Sequence, residues 1–329
     1  MRNPKSAIRN PQSAMPRLAF LFPGQGSQAV GMGRDWYEQT VPGRALFEHA
    51  DQLLRFGLTR VCFDGPEEEL RRTDRAQPAL FVCSVVVFEF LKSAGVEPAV
   101  VAGHSLGEYS ALYAAGVFDL ATGLSLVRER GEAMGEAAEA RPGAMAAVLG
   151  LEAGRVETVC GAAGADEIVQ VANFNSPAQT VISGERAAVE RVAEAAKTAG
   201  ARRVVLLPVH GAFHSPLMEP AVARMEAALS AAHLTDPLVP FLANVHGDFV
   251  SDPQVIRASL ARQILESVRW TAIMDKIAAA GVEAVIEVGP GRVLCGLWRQ
   301  NGLDIPAHAC GTVDEARVLV EELAGQVPG

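Results

Sequence analysis

The distribution of hydrophobic and polar residues in the first 140 positions indicates alternating strands and helices. The apolar run Leu18–Phe22 predicts a buried strand, and residues 98–102 predict a second one. Apolar residues recur with helical spacing around residues 35–55, 78–94, 108–115 and 119–139. This alternation is typical of an α/β domain. It ends at Arg141-Pro142-Gly143, where proline and glycine interrupt the helical pattern.

A different order of elements follows this interruption. The predicted elements are a strand at 144–149, a helix at 152–163, strands at 168–174 and 180–183, a helix at 185–198 and a strand at 203–209. This β-α-β-β-α-β order is typical of a ferredoxin-like unit. The segment spans about 70 residues, which is enough for a small domain.

The α/β pattern then resumes. It predicts a helix near 216–232, a strand at 239–245, helices near 253–280 and a strand at 282–288. We therefore predict an α/β fold with an α/β-hydrolase-like large domain made of residues 15–140 and 212–325. Residues 141–211 are predicted to form the inserted ferredoxin-like domain.

Residues 1–14 differ from the rest of the chain. The sequence Arg2-Asn-Pro-Lys-Ser-Ala7 recurs as Arg9-Asn-Pro-Gln-Ser-Ala14, and neither copy has apolar periodicity. Because the segment lacks a hydrophobic stretch, it does not fit a secretory signal. We expect a disordered extension with Met15 as the natural start, and a targeting segment is the alternative.

The composition excludes several classes of protein. With 49% hydrophobic and 20% charged residues, the chain fits a well-buried globular protein rather than a disordered one. The net charge of −9 argues against nucleic-acid binding. The longest apolar run, Pro78–Leu91, is too short to span a membrane and contains Glu89. Five cysteines without CxxC spacing suggest neither a disulfide framework nor a zinc site, which favours a reducing cytoplasm.

The segment Gly103–Gly107 (Gly-His-Ser-Leu-Gly) has the pattern of a nucleophile elbow between a predicted strand and a predicted helix. The tight turn needs small residues on both sides of Ser105, and it presents the hydroxyl at a helix N-terminus. There the N–H of Leu106 can stabilise an oxyanion. The alternative is an ordinary strand-to-helix turn that contains a serine.

The glycine-rich loop after the first strand, Gly24-x-Gly26-x-x-Ala29, formally matches a dinucleotide-binding fingerprint. That motif needs a second strand ending in an acidic residue, but Trp36–Leu54 has a polar helical pattern, so we reject this interpretation. Beside an elbow, the loop is better suited to offer the backbone N–H of Gln25 to an oxyanion. A tight turn without a chemical role is the alternative.

A serine hydroxyl needs a base, and His214 is the best candidate because it lies in a loop where the chain returns to the large domain. His104 should point away from the hydroxyl in a tight elbow. The other histidines occur in polar segments: His49, His233, His246 and His308. His210 and His214 have the spacing of two metal ligands on a helix, but the intervening Gly211 and the following Pro216 argue against a helix and therefore against a metal site.

No acidic residue between Ser105 and His214 stands out as the third member of a triad. This points to a dyad whose imidazole is oriented by a neutral acceptor, and it argues against a plain esterase. Arg128 and Arg130 lie on a mostly apolar helical segment, where an arginine usually has an anionic partner. From these residues alone we favour a salt bridge with Glu129 or Glu132.

Eight short motifs occur in an order that resembles the malonyl-CoA:acyl carrier protein transacylases of fatty acid synthesis. They are Phe22–Gln28, Gln77–Ala79, Gly103–Ala111, Arg128–Gly131, Gly143–Met145, Asn175–Pro177, Ala212–Met218 and Gly289–Gly291. The resemblance covers roughly residues 16–325. The fold of that family, an α/β-hydrolase-like domain with a ferredoxin-like insert, agrees with the organisation predicted above.

The resemblance implies a set of catalytic roles. Ser105 would be the acylated nucleophile, His214 its base, and Gln263 the residue whose backbone carbonyl orients the histidine. Gln25 and Leu106 would supply the N–H groups of the oxyanion hole.

The resemblance also implies how substrates are bound. Arg130 would bind the malonyl carboxylate, which replaces the salt-bridge interpretation, and His104 would be a second substrate-binding residue. The partners would be malonyl-CoA and acyl carrier protein, with no metal, cofactor, nucleic acid or membrane, and we expect a cytoplasmic monomer. His210 departs from the small residue expected at its position, so an effect on pocket polarity or carrier docking stays open.

Carrier docking needs a local basic patch, because acyl carrier proteins of this pathway are acidic and this chain is acidic too. The candidates are Arg202, Arg203, Arg292 and Arg299, and the alternative is four solvated arginines. Three other functions remain open: a malonyl acyltransferase serving a polyketide synthase, a serine thioesterase or hydrolase, and a catalytically silent scaffold.

Overall fold

The computed structural model describes residues 16–163, 167–209 and 211–325. The predicted extension at 1–14, Met15 and His210 lie outside the described residues. Within the described ranges the chain forms ten strands: β1 Leu18–Phe22, β2 Val100–Gly103, β3 Ala144–Leu149, β4 Val169–Ser176, β5 Gln179–Gly184, β6 Arg203–Leu206, β7 Phe241–Ala243, β8 Asp248–Phe249, β9 Ala284–Val288 and β10 Ala307–Cys310.

Fourteen α-helices are found in the same ranges. They are α1 Arg34–Gln39, α2 Val41–Leu54, α3 Leu58–Asp64, α4 Glu67–Arg71, α5 Thr73–Ser93, α6 Gly107–Ala114, α7 Leu120–Ala140, α8 Ala153–Ala163, α9 Arg186–Thr198, α10 Val222–Ala231, α11 Pro253–Gln263, α12 Trp270–Ala279, α13 Val293–Gln300 and α14 Val313–Gly325. A 3₁₀ helix, Pro216–Ala221, precedes α10. The chain is therefore a mixed α/β protein.

Six strands form a sheet in the order β10-β9-β1-β2-β7-β8, in which only β8 runs antiparallel to its neighbour. Both faces are covered by helices, and β1 and β2 are buried along their whole length. Since parallel strands end at the same edge, the segments that follow β1, β2 and β7 are brought together there. These segments carry Gln25, Ser105 and Asn244, respectively.

Four further strands form an antiparallel sheet in the order β4-β5-β3-β6. They are the strands predicted between residues 144 and 209, and β3 has the predicted bounds. β6 is shorter than predicted and ends at Leu206. The helices α8 and α9 pack on one face of this sheet through residues such as Val156, Val189 and Val192.

Helix α5 crosses the core beneath the six-stranded sheet. It begins at Thr73, five residues before the predicted start at residue 78, and has 21 residues. By length and composition alone it could cross a membrane, but 78% of its most apolar 18-residue stretch is buried inside the protein. Phe88 of this helix packs edge-on against Phe20 and Phe22 of β1, with ring centroids 6.4 and 6.3 Å apart. Its hydrophobicity is therefore explained by packing in the core.

The two sheets are joined through the segment that follows α11. The N–H of Val268 donates to the carbonyl of Ala172 at 2.8 Å, and the N–H of Phe174 donates to the carbonyl of Val268 at 2.9 Å. Strand β4 is therefore an edge strand of its own sheet whose outer side pairs with a loop of the other part of the molecule.

Candidate active site

Ser105 lies at the turn between β2 and α6 with φ of 51°, in the left-handed region. Such a backbone conformation is uncommon for a non-glycine residue. The flanking glycines are required by close backbone contacts. A Cβ on Gly103 would lie 1.9 Å from the carbonyl of Gly107, and a Cβ on Gly107 would lie 2.0 Å from the carbonyl oxygen of Phe22. The turn has the strand-turn-helix geometry of a nucleophile elbow.

Asn244, directly after β7, holds this turn in place. Its Oδ1 accepts a hydrogen bond from the N–H of Ser105 at 2.7 Å, and its Nδ2 donates to the carbonyl of Gly103 at 2.7 Å. Asn244 is fully buried. Asn244 was not predicted as a site residue, although a polar residue at the end of a predicted parallel strand is a signal for a site.

Ser105 and His214 are in hydrogen-bond contact, with Oγ and Nε2 2.8 Å apart. The Nδ1 of His214 lies 2.7 Å from the carbonyl oxygen of Gln263 and 3.0 Å from that of Glu266. Because a carbonyl can only accept, Nδ1 carries the proton and Nε2 is free to accept from the serine. Burial, together with the charge of nearby Arg130, lowers the pKa of His214 to about 3, so the imidazole is neutral at physiological pH.

Arg130 on α7 is 1% exposed and points at the same serine. Its Nη2 donates to Ser105 Oγ at 3.1 Å and to Gln263 Oε1 at 2.8 Å, while Nη1 donates to Gln77 Oε1 at 2.7 Å. The sequence analysis assigned no role to Gln77.

The salt bridge expected for Arg130 from the residues alone was wrong. Glu129 and Glu132 pair instead with Arg224, at 2.5 and 3.3 Å, and Arg128 lies 4.0 Å from Glu132. In the part of the chain that the structure describes, Arg130 forms no ion pair; its polar partners are neutral amides and a hydroxyl. A buried guanidinium with neutral partners keeps its charge available to an anionic ligand.

Gln263 connects these groups through its side chain. Its Nε2 donates to the carbonyl of Ser105 at 2.9 Å and to the Glu108 carboxyl group. Glu108 is 1% exposed and also accepts from the N–H of Asn244 at 3.3 Å. Burial raises the pKa of Glu108 to about 7. Glu108 lies within the motif Gly103–Ala111, but its place in this network was not predicted.

Two backbone N–H groups, one on the elbow and one on the loop that packs against it, have no hydrogen-bond partner in the described part of the chain. They are the N–H groups of Leu106 and Gln25, respectively. Leu106 occupies the N-cap position of α6. The loop of Gln25 packs on the elbow, since a Cβ on Gly24 would lie 2.3 Å from the carbonyl oxygen of His104. The arrangement suits an oxyanion hole at a helix N-terminus.

His104 is held away from the serine hydroxyl. Its Nε2 lies 2.9 Å from Asn175 Oδ1 on β4, and its ring packs edge-on against Trp270 with centroids 5.3 Å apart. Burial lowers the pKa of His104, which favours the neutral imidazole.

The four candidate docking arginines lie on exposed parts of two elements. Arg202 directly precedes β6 and Arg203 is its first residue. Arg292 directly precedes α13, and Arg299 lies in the last turn of that helix. Arg292 forms an ion pair with Glu315 at 2.5 Å. All four arginines are exposed, two at β6 and two at α13, and the charge of Arg292 is partly balanced by Glu315.

A second serine–histidine contact occurs between Ser259 Oγ and His246 Nε2, at 2.8 Å. Ser259 Oγ also donates to the carbonyl of Val255 at 2.7 Å, so its proton is committed and the group is not poised as a nucleophile. The five cysteines are free and buried. No group of three metal-ligating side chains was found in the described ranges.

A serine after a parallel strand, in contact with a histidine, is the arrangement used by serine enzymes of acyl transfer and hydrolysis. A sequence model of the acyl transferase domain matches residues 19–313. The malonyl CoA-acyl carrier protein transacylase of Bacillus subtilis (strain 168) is 45% identical over 310 residues, which are 94% of this chain and 98% of that protein. The enzyme of the same name from Escherichia coli (strain K12) is 42% identical over 87% of this chain and 93% of its own.

Solved structures agree with these relatives. The acyl-carrier-protein S-malonyltransferase from Bartonella henselae has a TM-score of 0.90 and 44% identity, covering 94% of this chain and 99% of that one. A malonyl-transacylase in complex with a type II polyketide synthase acyl-carrier protein has a TM-score of 0.90 and 38% identity, covering 93% and 99%. The chain belongs to the acyl transferase domain family, among the malonyl CoA-acyl carrier protein transacylases.

Proposed function

We propose that this protein transfers the malonyl group of malonyl-CoA to the phosphopantetheine thiol of acyl carrier protein through an ester on Ser105. The observation that carries the proposal is the convergence of two side chains on the hydroxyl of Ser105. His214 Nε2 lies 2.8 Å from Ser105 Oγ, and Arg130 Nη2 lies 3.1 Å from the same oxygen. A base, a nucleophile and a buried cation that can bind a carboxylate are thus adjacent.

The first half-reaction acylates the serine. His214 Nε2 takes the proton of Ser105 as Oγ bonds to the thioester carbonyl carbon. The N–H groups of Gln25 and Leu106 hold the resulting oxyanion. The carbon–sulfur bond then breaks, and protonated His214 returns the proton to the leaving thiolate of coenzyme A. The Gln263 carbonyl holds the imidazolium in orientation during this step.

The second half-reaction runs in the opposite sense. The phosphopantetheine thiol gives its proton to His214 as its sulfur attacks the ester carbonyl carbon, and Ser105 recovers the proton as it leaves. The kinetics are therefore expected to be ping-pong.

Arg130 is proposed to select the malonyl group. A carboxylate would replace the amide oxygens of Gln77 and Gln263 as partners of the guanidinium, and both Nη groups can reach a planar acceptor. An acetyl group offers no such partner. We propose that His104 lines the same pocket as a second substrate-binding residue.

Intact mass after brief exposure to malonyl-CoA or acetyl-CoA tests the proposal. We expect a single malonyl adduct that is lost in Ser105→Ala, weak with acetyl-CoA, and lost or non-selective in Arg130→Ala. Added carrier protein should then take the group from the wild-type enzyme. Free coenzyme A without an adduct would indicate a hydrolase instead, and neither adduct nor turnover would indicate a silent scaffold.

A second candidate differs only in the carrier. One relative was solved with a type II polyketide carrier, so a polyketide pathway is an alternative destination for the malonyl group. Presenting both carriers at equal concentration to the malonylated enzyme distinguishes the two pathways by the carrier that is loaded faster.

We propose a domain organisation in which an α/β-hydrolase-like domain, residues 15–140 and 212–325, contains a ferredoxin-like insert at 141–211. The strand order β4-β5-β3-β6, all antiparallel, supports the insert. The mostly parallel six-stranded sheet with the serine after β2 supports the larger domain.

We further propose that the reaction needs no metal, cofactor or second subunit, because each step above uses side chains and backbone groups of this chain. We also propose that the enzyme is a cytoplasmic monomer.

We propose the exposed residues Arg202 and Arg203, and Arg292 and Arg299, as docking sites for the acidic carrier.

A further inference from the structure

Strand β4 of the second sheet contacts the loop that orients the candidate base. The loop, residues 264–268, follows α11, and its Val268 pairs with the backbone of Ala172 and Phe174. In addition, Ser267 Oγ donates to the carbonyl of Val171 at 2.6 Å. These contacts join two backbones but do not reach His214.

Gln170, also on β4, does reach it. Its Nε2 donates to the carbonyl of His214 at 2.8 Å and to the carbonyl of Leu265 at 2.9 Å. Both hydrogens of the amide are therefore used. The Gln170 side chain therefore joins the backbone of His214 to the segment whose carbonyls accept from the imidazole of His214.

The two carbonyls that Gln170 binds, those of His214 and Leu265, belong to the segments that set the position of the imidazole. Leu265 lies between Gln263 and Glu266, whose carbonyls both accept from His214 Nδ1. His214 itself has φ of 57°, a conformation that a non-glycine residue keeps only when its surroundings hold it. A shift of either segment would change the distance between Nε2 and Ser105.

We propose that Gln170 is a positioning residue for the reaction, acting through His214. The inference rests on the function proposed above, since it assumes that His214 is the base of acyl transfer. The hydrogen bonds of the Gln170 side chain go to the carbonyls of His214 and Leu265 and not to the side chains of Ser105 or Arg130. We therefore expect its effect on the rate of proton transfer rather than on substrate binding.

Two substitutions test the proposal, with a third as the control. Gln170→Met keeps the length of the side chain but removes both donors, and Gln170→Glu replaces the donors with a carboxylate that faces two carbonyls. Ser267→Ala removes a hydrogen bond between the same strand and the same loop without touching His214. Each variant is measured for thermal midpoint, single-turnover acylation by malonyl-CoA and the NMR signal of the His214 Nδ1 proton.

We expect both Gln170 variants to acylate about 10- to 100-fold more slowly at saturating malonyl-CoA, with little change in half-saturating concentration. Their Nδ1 proton signal should shift or broaden. Ser267→Ala should lose thermal stability only. If all three variants lose stability alike while acylation rate and proton signal stay at wild-type values, Gln170 is a structural tie and the proposal is wrong.

The proton signal also separates this inference from the proposed function. If the wild-type protein forms no adduct, the proposed function fails. The effect of Gln170→Met on the Nδ1 proton still decides whether Gln170 positions the histidine.

Discussion

His214 is oriented by two backbone carbonyls, where serine enzymes with a triad use a carboxylate. The charge of Arg130 gives a reason why His214 Nδ1 has neutral carbonyl acceptors rather than a carboxylate. A carboxylate at Nδ1 would lie close to a buried guanidinium and compete with the ligand for it. Backbone carbonyls fix the tautomer without adding a charge.

This environment predicts an unusual pH profile. Because the pKa of His214 is lowered to about 3, the free enzyme keeps a neutral base well below the ordinary histidine value near 6.5. We expect kcat/KM for malonyl-CoA to stay level as the pH falls through about 6.5. Stopped-flow acylation between pH 5 and 8 checks this in the wild type and in Glu108→Gln, which removes the buried carboxyl whose pKa is about 7. A half-maximal rate near pH 6.5 in both proteins would contradict the expectation.

The same shift has a consequence for stability. Below about pH 6.5 the unfolded chain protonates this histidine while the folded chain does not, so its contribution to the unfolding free energy decreases as the pH falls. Glu108 acts in the opposite direction. Its pKa is raised to about 7, so its contribution decreases as the pH rises from about 4.5 to about 7.

The elbow between β2 and α6 depends on backbone atoms that come close to one another. Gly107 lies against β1, where a Cβ would meet the Phe22 carbonyl oxygen at 2.0 Å and the Pro23 carbonyl oxygen at 2.9 Å. Neither atom belongs to a flexible side chain that could move away. The helix can approach the sheet this closely only with glycine at this position.

Gly107→Ala is therefore expected to destabilise the fold by about 3 kcal/mol and to slow acylation of Ser105, since the turn must shift. Gly161→Ala on α8 is the matched control, because a Cβ there has open space and alanine favours helix by about 1 kcal/mol. Urea unfolding measures both. Equal stability of the two variants would refute the close contact.

The protein carries a net charge of −9, and the proposed carrier is acidic as well. Long-range repulsion therefore opposes their encounter, and exposed basic pairs have to compensate locally. Arg202 with Arg203 and Arg292 with Arg299 offer such pairs on two different elements.

Charge reversal of each pair separates docking from catalysis. Arg202→Glu with Arg203→Glu should raise the KM for the carrier about 3- to 10-fold and leave acylation by malonyl-CoA unchanged, and the second pair is tested likewise. Arg71→Glu with Arg317→Glu, two exposed substitutions on α4 and α14, makes the same change of net charge and is the control. If the carrier KM moves no more than in this control, that pair does not contribute to docking.

Local sequence was sufficient for the elements whose pattern is strong. β1 and β3 have the predicted bounds, and α7 and α9 agree within a residue or two, because their apolar spacing is regular. Six elements were not predicted: α3, α4, β8, α13, β10 and α14. Several of these are short, and their boundaries depend on what they pack against rather than on their own residues.

On its own, the sequence determined the elbow, its flanking glycines and the histidine in the return loop, because each depends on local backbone chemistry. The tertiary structure alone decided which partners these residues have. Arg130 contacts amides rather than the neighbouring glutamates, and Asn244 and Gln170 reach the site from positions remote in the chain. Glu108 is close to Ser105 in sequence, but its partner Gln263 is distant. Hydrogen bonds between distant segments depend on how strands and helices pack, and no local pattern of residues records that packing.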